Sequence, residues 1–173
     1  MKLQTRRLVL TPFTVDHLDA LHTLWTDPEV RRYLWDDEII SRELAAEVID
    51  SSIRGFEGHG FGFWVLAETE TPGAVIGFVG LRHFGEASEI ELLYGLAPSH
   101  WHRGLASEAS RAALDHAFDT VGLDRIHAGT DPPNVASLAV MERLGFGEEH
   151  RRTLDGIETI YRSLTRDTYD RNR

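Results

Sequence analysis

The chain has 173 residues, 42% of them hydrophobic and 27% charged, which predicts a folded globular protein of one domain, residues 1–173. Its 28 acidic against 18 basic residues give a formal net charge of −10, the opposite of the basic face that a nucleic-acid partner requires. Cysteine is absent and Lys2 is the only lysine, so disulfides, a thiolate nucleophile, a Cys-ligated metal and a buried Schiff-base lysine are all excluded.

No apolar run approaches the roughly 20 residues that span a bilayer, and Met1–Leu10 has no apolar signal core, so a cytoplasmic protein without a membrane partner is expected. Arg7–Phe13, carrying Leu8, Leu10 and Phe13 with Pro12 near its end, reads as an edge strand. Leu18, Leu21, His22 and Trp25 recur at helical spacing behind Thr14, a suitable N-cap. A second helix begins at Ser41 on a stripe that includes Ala45, Val48, Ile49 and Phe56, and the glycine-rich stretch Gly55–Gly62 ends it. The period then falls to two. Phe61–Ala67 and Ala74–Phe84 are predicted strands joined by a turn at Thr71-Pro72-Gly73, and Ile90–Leu96 is a third. Along this strand Glu89, Glu91 and Leu93 share one face, and Ile90, Leu92, Tyr94 and Leu96 share the other. A helix over Gly104–Phe118, a strand over Arg125–Thr130, a helix over Asn134–Leu144 stopped by Gly145, and a strand over Ile157–Leu164 complete the chain. The strand–helix–strand stretch from residue 90 to 130 has the length of a parallel βαβ crossover. Set among hairpins, it predicts an α+β fold with a mixed, mostly antiparallel sheet of about seven strands flanked by helices.

Trp101-His102-Arg103-Gly104-Leu105-Ala106 joins a strand end to a helix start. The first N–H groups of a helix have no intrahelical partner, and the macrodipole adds about half a positive charge there. Gly104 permits close approach of a ligand, Ala106 keeps the next turn open and Arg103 adds a cation, so the segment suits a phosphate or pyrophosphate. Neither the P-loop nor the dinucleotide fingerprint is present. An ordinary tight connection gives the same local pattern. His100-x-His102 has the look of a metal pair but lacks a third and fourth ligand, and no metal is expected.

The stretch Glu91–Ala117 resembles the acetyl-CoA motif of the GNAT N-acetyltransferase superfamily, (Arg/Gln)-x-x-Gly-x-(Gly/Ala), with Trp101, Gly104 and Ala106 at its three positions. Tryptophan there, followed by Ser107-Glu108-Ala109, is similar to the RimJ/RimL-type branch. The likeness continues through Thr5–Leu10, Asn134-x-x-Ser137 with Glu142–Phe146, and Tyr161–Leu164, in the family's order. The resemblance implies a GNAT fold and acetyl-CoA as acetyl donor. It implies that the backbone of Tyr94, Gly95 and Leu96 pairs with the pantetheine arm. It further implies that His102, Arg103, Gly104, Leu105, Ala106 and Ser107 hold the pyrophosphate, and that Asn134 contacts the pantetheine.

The sequence departs from the family pattern at two positions. Met141 stands where many members have the tyrosine that protonates the departing thiolate, and Gly129 stands where certain N-terminal acetyltransferases have a glutamate. Attention therefore shifts to Ser137 as general acid and to Glu91, matching the family's Glu-x-x-Tyr strand motif, as general base. Glu89, Asp155 and Glu158 are the other acidic candidates, and each of these carboxylates also reads as a solvated surface charge. Trp25, Tyr33, Trp35 and the run Asp36-Asp37-Glu38 fall in the region that walls the acceptor cleft in this fold. The expected function is direct acetyl transfer to a primary amine in a ternary complex. The branch resemblance implies a peptide or protein N-terminal acceptor. A small-molecule amine and a non-catalytic acyl-CoA sensor are the alternatives, in a monomer or homodimer.

Overall fold

The computed structural model describes residues 1–85, 89–154 and 156–173. Eight strands form one sheet: β1 (Leu3–Gln4), β2 (Leu8–Pro12), β3 (Phe63–Glu68), β4 (Gly77–Phe84), β5 (Glu89–Leu96), β6 (Arg125–Thr130), β7 (Gly147–Leu154) and β8 (Ile157–Thr165). Their spatial order is β1-β2-β3-β4-β5-β6-β8-β7. All neighbours are antiparallel except β5 and β6, which are parallel and joined by α4 (Leu105–Asp115) and the π-helical turn His116–Val121. The predicted α+β class with its single crossover is the observed one. Eight strands replace the expected seven, and Arg7–Phe13 is not the edge, because Leu3–Gln4 folds back against it.

Alternation along the strands explains the layers, since successive side chains face opposite ways. Leu8, Leu10, Trp64, Leu66, Val79, Leu81 and Leu92 point to one face and pack with Leu105, Ala109 and Ala113 of α4 and with Leu144 of α5 (Val135–Leu144). Phe63, Val65 and Phe78 point to the other face, against Leu21 and Trp25 of α1 (Leu18–Thr26) and Ala45 and Ile49 of α3 (Arg42–His59). The small α2 (Pro28–Arg31) follows α1, and α6 (Arg166–Arg171) ends the chain. Ser41 caps α3 by accepting from the Leu44 N–H at 3.0 Å, and Gly60, at φ +78°, closes that helix. Gly55 and Gly58 lie inside α3 and do not break it.

Candidate active site

β5 and β6 pair in register only at Glu91 and His127 and do not pair beyond that point. The Ala97 N–H donates to Ile76 beside β4. Backbone direction alternates along a strand, so Gly95 turns its amide groups toward β4 while Tyr94 and Leu96 turn theirs toward the gap. The Leu96 carbonyl accepts the Trp101 indole N–H at 2.7 Å, which ties the end of the strand to the following loop. A Cβ on Gly95 would come within 2.6 Å of the Phe78 ring, so the absence of a side chain there lets β5 lie close on that ring.

The loop after β5 ends at α4. Gly104, at φ +74°, precedes the first helical residue, and His102 is also left-handed at φ +58°. No side chain caps α4, and its first backbone bond runs from the Glu108 N–H to the Gly104 carbonyl. The N–H groups of Leu105, Ala106 and Ser107 are therefore the free donors of this terminus. The Ser107 hydroxyl is buried and has no partner among the described residues. Leu105 contributes only its backbone, because its side chain is in the core.

Two ion pairs brace this loop, and neither was predicted. Arg7 donates through Nε to Glu108 Oε2 at 2.7 Å and through its backbone N–H to Oε1 at 2.9 Å, while its Nη1 reaches the Arg103 carbonyl at 2.9 Å. Thr5 Oγ1 donates to Glu108 Oε1 at 2.6 Å. Partial burial pushes the Glu108 pKa up, but these hydrogen bonds from Thr5 and Arg7 outweigh it and hold the carboxyl below its usual value. The Arg103 guanidinium pairs with Glu68 at 2.6 Å, so the cation expected to face a phosphate is engaged at the end of β3. His100 stands near the same glutamate, with Nε2 at 3.6 Å. His102 is exposed.

Across the gap, Asn134 caps α5 by accepting from the Ser137 N–H at 3.2 Å. The Ser137 hydroxyl lies 2.7 Å from Tyr94 Oη, which also donates to the Ser137 carbonyl at 3.2 Å. Burial pushes the Tyr94 pKa up to about 12 against the opposing bond to Ser137, so the phenol is a proton donor at neutral pH. Met141, one turn after Ser137 on α5, is 1% exposed in the core. Sequence reasoning gave Tyr94 only a backbone role. Its place on the same face as Leu92 and Leu96, opposite a serine at the start of a helix, was the signal available.

Glu91 points the other way and is 5% exposed, not a solvated charge. Arg82 Nε and Nη2 both bond its Oε2, at 3.0 and 2.9 Å, leaving Oε1 without a hydrogen bond from any described residue. Burial raises the Glu91 pKa, and the Arg82 charge and hydrogen bond only partly oppose it. Glu89 lies 3.9 Å from His127 and 3.8 Å from Arg152. Glu158 is an exposed partner of Arg151, and Asp155 lies outside the described residues. Gly129 sits against the Tyr161 ring, where a Cβ would meet Cε1 at 2.6 Å. A glutamate has no room there.

On the Glu91 face, a cavity of about 390 Å³ lies between α3 and strands β3, β4 and β5. Trp25, Trp35, Phe63 and Phe78 form its aromatic wall, with Leu93 of β5 on the side of the gap. Asp37 is exposed and paired with Arg31 at 3.0 Å, and none of Asp36, Asp37 and Glu38 lines the cavity. Tyr33 does not line it either.

A family model described as an acetyltransferase (GNAT) domain matches residues 7–147. The chain belongs to the GNAT acetyltransferase family. N-acetyltransferase p20 of Bacillus licheniformis is 32% identical over 152 residues, covering 85% of this chain and 83% of that protein. A solved GNAT-family acetyltransferase from Bordetella pertussis superposes with a TM-score of 0.82 at 25% identity, covering 95% of this chain and 99% of the other. The ribosomal L7/L12 α-N-protein acetyltransferase RimL, solved with coenzyme A, has a TM-score of 0.80 at 18% identity over 97% of this chain and 99% of its own, a likeness of fold.

The acetyltransferase takes acetyl-CoA as its acetyl donor. Its residues suit that molecule. The unpaired edge of β5 offers backbone groups to an amide-bearing chain, and the uncapped terminus of α4, with the orphan Ser107 hydroxyl, offers donors to a diphosphate. Among the described residues no helix is long and apolar enough to cross a membrane.

Proposed function

We propose that the acetyltransferase moves acetyl from acetyl-CoA to a primary amine by direct attack in a ternary complex, with both proton transfers managed from β5. One observation carries this reading. Where β5 parts from β6, the strand turns Glu91, at the register pair, to one face and Tyr94, three residues on and backed by Ser137, to the other.

Acetyl-CoA supplies a thioester, an acyl group activated toward an amine. Glu91 Oε1 accepts the proton that the attacking ammonium must lose, directly or through one water, and its raised pKa makes it a better base near neutrality. Arg82 fixes the carboxylate through Oε2. On the opposite face, Tyr94 Oη gives its proton to the departing sulfur, the Ser137 hydroxyl orients the phenol and donates a hydrogen bond to the phenolate, and solvent returns the proton. The absence of cysteine agrees with a route that has no acyl-enzyme. Tyr94, Gly95 and Leu96 line the pantetheine path, residues 102–107 hold the diphosphate, and Asn134 shapes the start of α5 beside them. In this reading Arg103 acts by pinning the loop to Glu68.

The acceptor enters through the aromatic cavity beside Leu93. A protein N-terminus, the acceptor that the RimJ/RimL-type likeness suggests, and a small amine both meet that description. The site of Gly129, filled by Tyr161, speaks against the glutamate-based variant of the N-terminal enzymes. A sensor without catalysis is disfavoured by the coupled hydroxyls at the gap. The test is release of free CoA from acetyl-CoA across a panel of amines. Turnover that depends on Glu91 and Tyr94 supports the reading, and acetyl-CoA binding without turnover of any amine overturns it.

A further inference from the structure

The acceptor cavity is aromatic at its base and carries arginine and histidine at its rim. Arg54 and His59 of α3 and Arg82 and His83 of β4 line it, and all four are exposed, whereas no aspartate or glutamate is among the described residues that line it. This contrasts with the net charge of −10 on the whole chain. Arg82 is committed to Glu91. Arg54 forms no ion pair among the described residues and stands on the C-terminal half of α3, lining the same cavity as the aromatic wall. His59 and His83 meet edge to face at 4.8 Å, with Phe61 stacked on His59, so these two imidazoles form a fixed lip and not a pair of free side chains.

The cavity thus has an arginine-bearing lip on α3 beside aromatic rings. A polycation meets repulsion at the lip, and a plain apolar amine leaves the lip unused. From the unpaired Arg54 at the mouth of an aromatic cavity that no described acid lines, we infer that the acceptor is a small amino-carboxylate: a primary amine on an apolar or aromatic body, with a carboxylate taken up by Arg54 beside the His59–His83 pair. A cavity of about 390 Å³ is of the size that encloses a small molecule. Guanidinium pairs with carboxylate through directed hydrogen bonds, which gives the lip discrimination as well as attraction.

This inference rests on the cavity being the place of the acceptor in acetyl transfer. The experiment measures CoA release by the full chain with acetyl-CoA and four acceptors at pH 7.5: L-phenylalanine, phenylalaninamide, spermidine and a serine-initiated peptide. Phenylalaninamide has the same body without the carboxylate. Its amine is the weaker base and carries more free amine at this pH, so the comparison is biased against the expected result. The expectation is a kcat/KM for phenylalanine about tenfold or more above that for the amide, the scale of one charge-assisted hydrogen bond. In Arg54→Gln that ratio should fall toward one through KM. Equal or faster use of the amide, or a higher kcat/KM for spermidine or the peptide, overturns the inference while leaving acetyl transfer standing. So does a ratio that survives both Arg54→Gln and the double change Arg54→Gln/His59→Gln. Turnover of none of the four, with acetyl-CoA bound, overturns the inference, and the wider amine panel then decides whether acetyl transfer itself stands.

Discussion

Arg7 holds Glu108 through three of its own nitrogens, the backbone N–H, Nε and Nη2, and with Nη1 of the same guanidinium holds the carbonyl of Arg103. A side chain from the loop before β2 therefore sets the distance between the turn that precedes α4 and the first turn of that helix. The opening segment of the chain thus braces the terminus of α4 at the proposed diphosphate site.

Glu108→Gln is accordingly expected to weaken acetyl-CoA binding several-fold and to cost about 1–3 kcal/mol of stability at pH 7, the range for hydrogen bonds to a charged group. The Glu108 pKa is depressed in the folded chain, so its contribution is complete above the ordinary glutamate value and is lost as pH falls through the lower, folded value. Denaturant unfolding of both proteins between pH 3 and 7 checks this. The gap in unfolding free energy should close at the acid end.

Gly104→Val places a β-branched residue at φ +74°. The nearest atom to an added Cβ is Arg7 Nη2 at 3.7 Å, so handedness and not bulk is the obstacle. Acetyl-CoA affinity should fall by 1 kcal/mol or more as the terminus of α4 is displaced, roughly the cost of a left-handed L-residue. Calorimetry on a variant with native circular dichroism measures it, and unchanged affinity would remove residues 102–107 from the binding site.

Tyr94→Phe and Ser137→Ala should each lower kcat while acetyl-CoA affinity stays within a few-fold. Loss of a positioned acid typically costs on the order of 10²–10⁴ in rate, with the larger loss expected at Tyr94. If the hydroxyls act as one unit, the double variant is no slower than Tyr94→Phe. Additive losses in single-turnover rates would separate them.

Glu91→Gln should reduce the rate by about 10²–10⁴-fold with a good acceptor. The acid limb of kcat/KM is expected above the ordinary carboxylate range, because burial raises this pKa more than Arg82 lowers it. Removing the cation in Arg82→Gln withdraws the lowering influence, so the limb moves to higher pH. A limb that stays in place would mean that Glu91 is not the titrating base.

The crossover was legible because its signals agree: alternation over β5, a small-residue stripe on α4 and the β-rich run Arg125–Thr130. β7 was not legible. Gly147–Leu154 reads GEEHRRTL, a charged segment without alternation, and it is a strand only because β8 lies beside it. Arg151 with Glu158, and Arg162 with Glu149, complete that pairing across the two strands. The site divides the same way. Gly104 and the free amides of α4 follow from local chain geometry, whereas the approach of Tyr94 to Ser137 and of Arg7 to Glu108 joins residues 43 and 101 positions apart. Nothing in the spacing of those residues fixes such a meeting. The exposed-strand reading of Glu91 failed for a related reason, since its cover comes from Arg82 on the neighbouring strand.

A sheet that touches across one seam at a single register point is two hydrogen-bonded blocks, β1 to β5 and β6 to β8. The cooperativity of a continuous ladder stops at Glu91 and His127. Breathing of the molecule should therefore concentrate along this line, with the amides of Tyr94 and Leu96 exchanging with solvent far sooner than those inside β4. An extended chain bonded to the free groups of Tyr94 and Leu96 would bridge the two blocks as a temporary ninth strand.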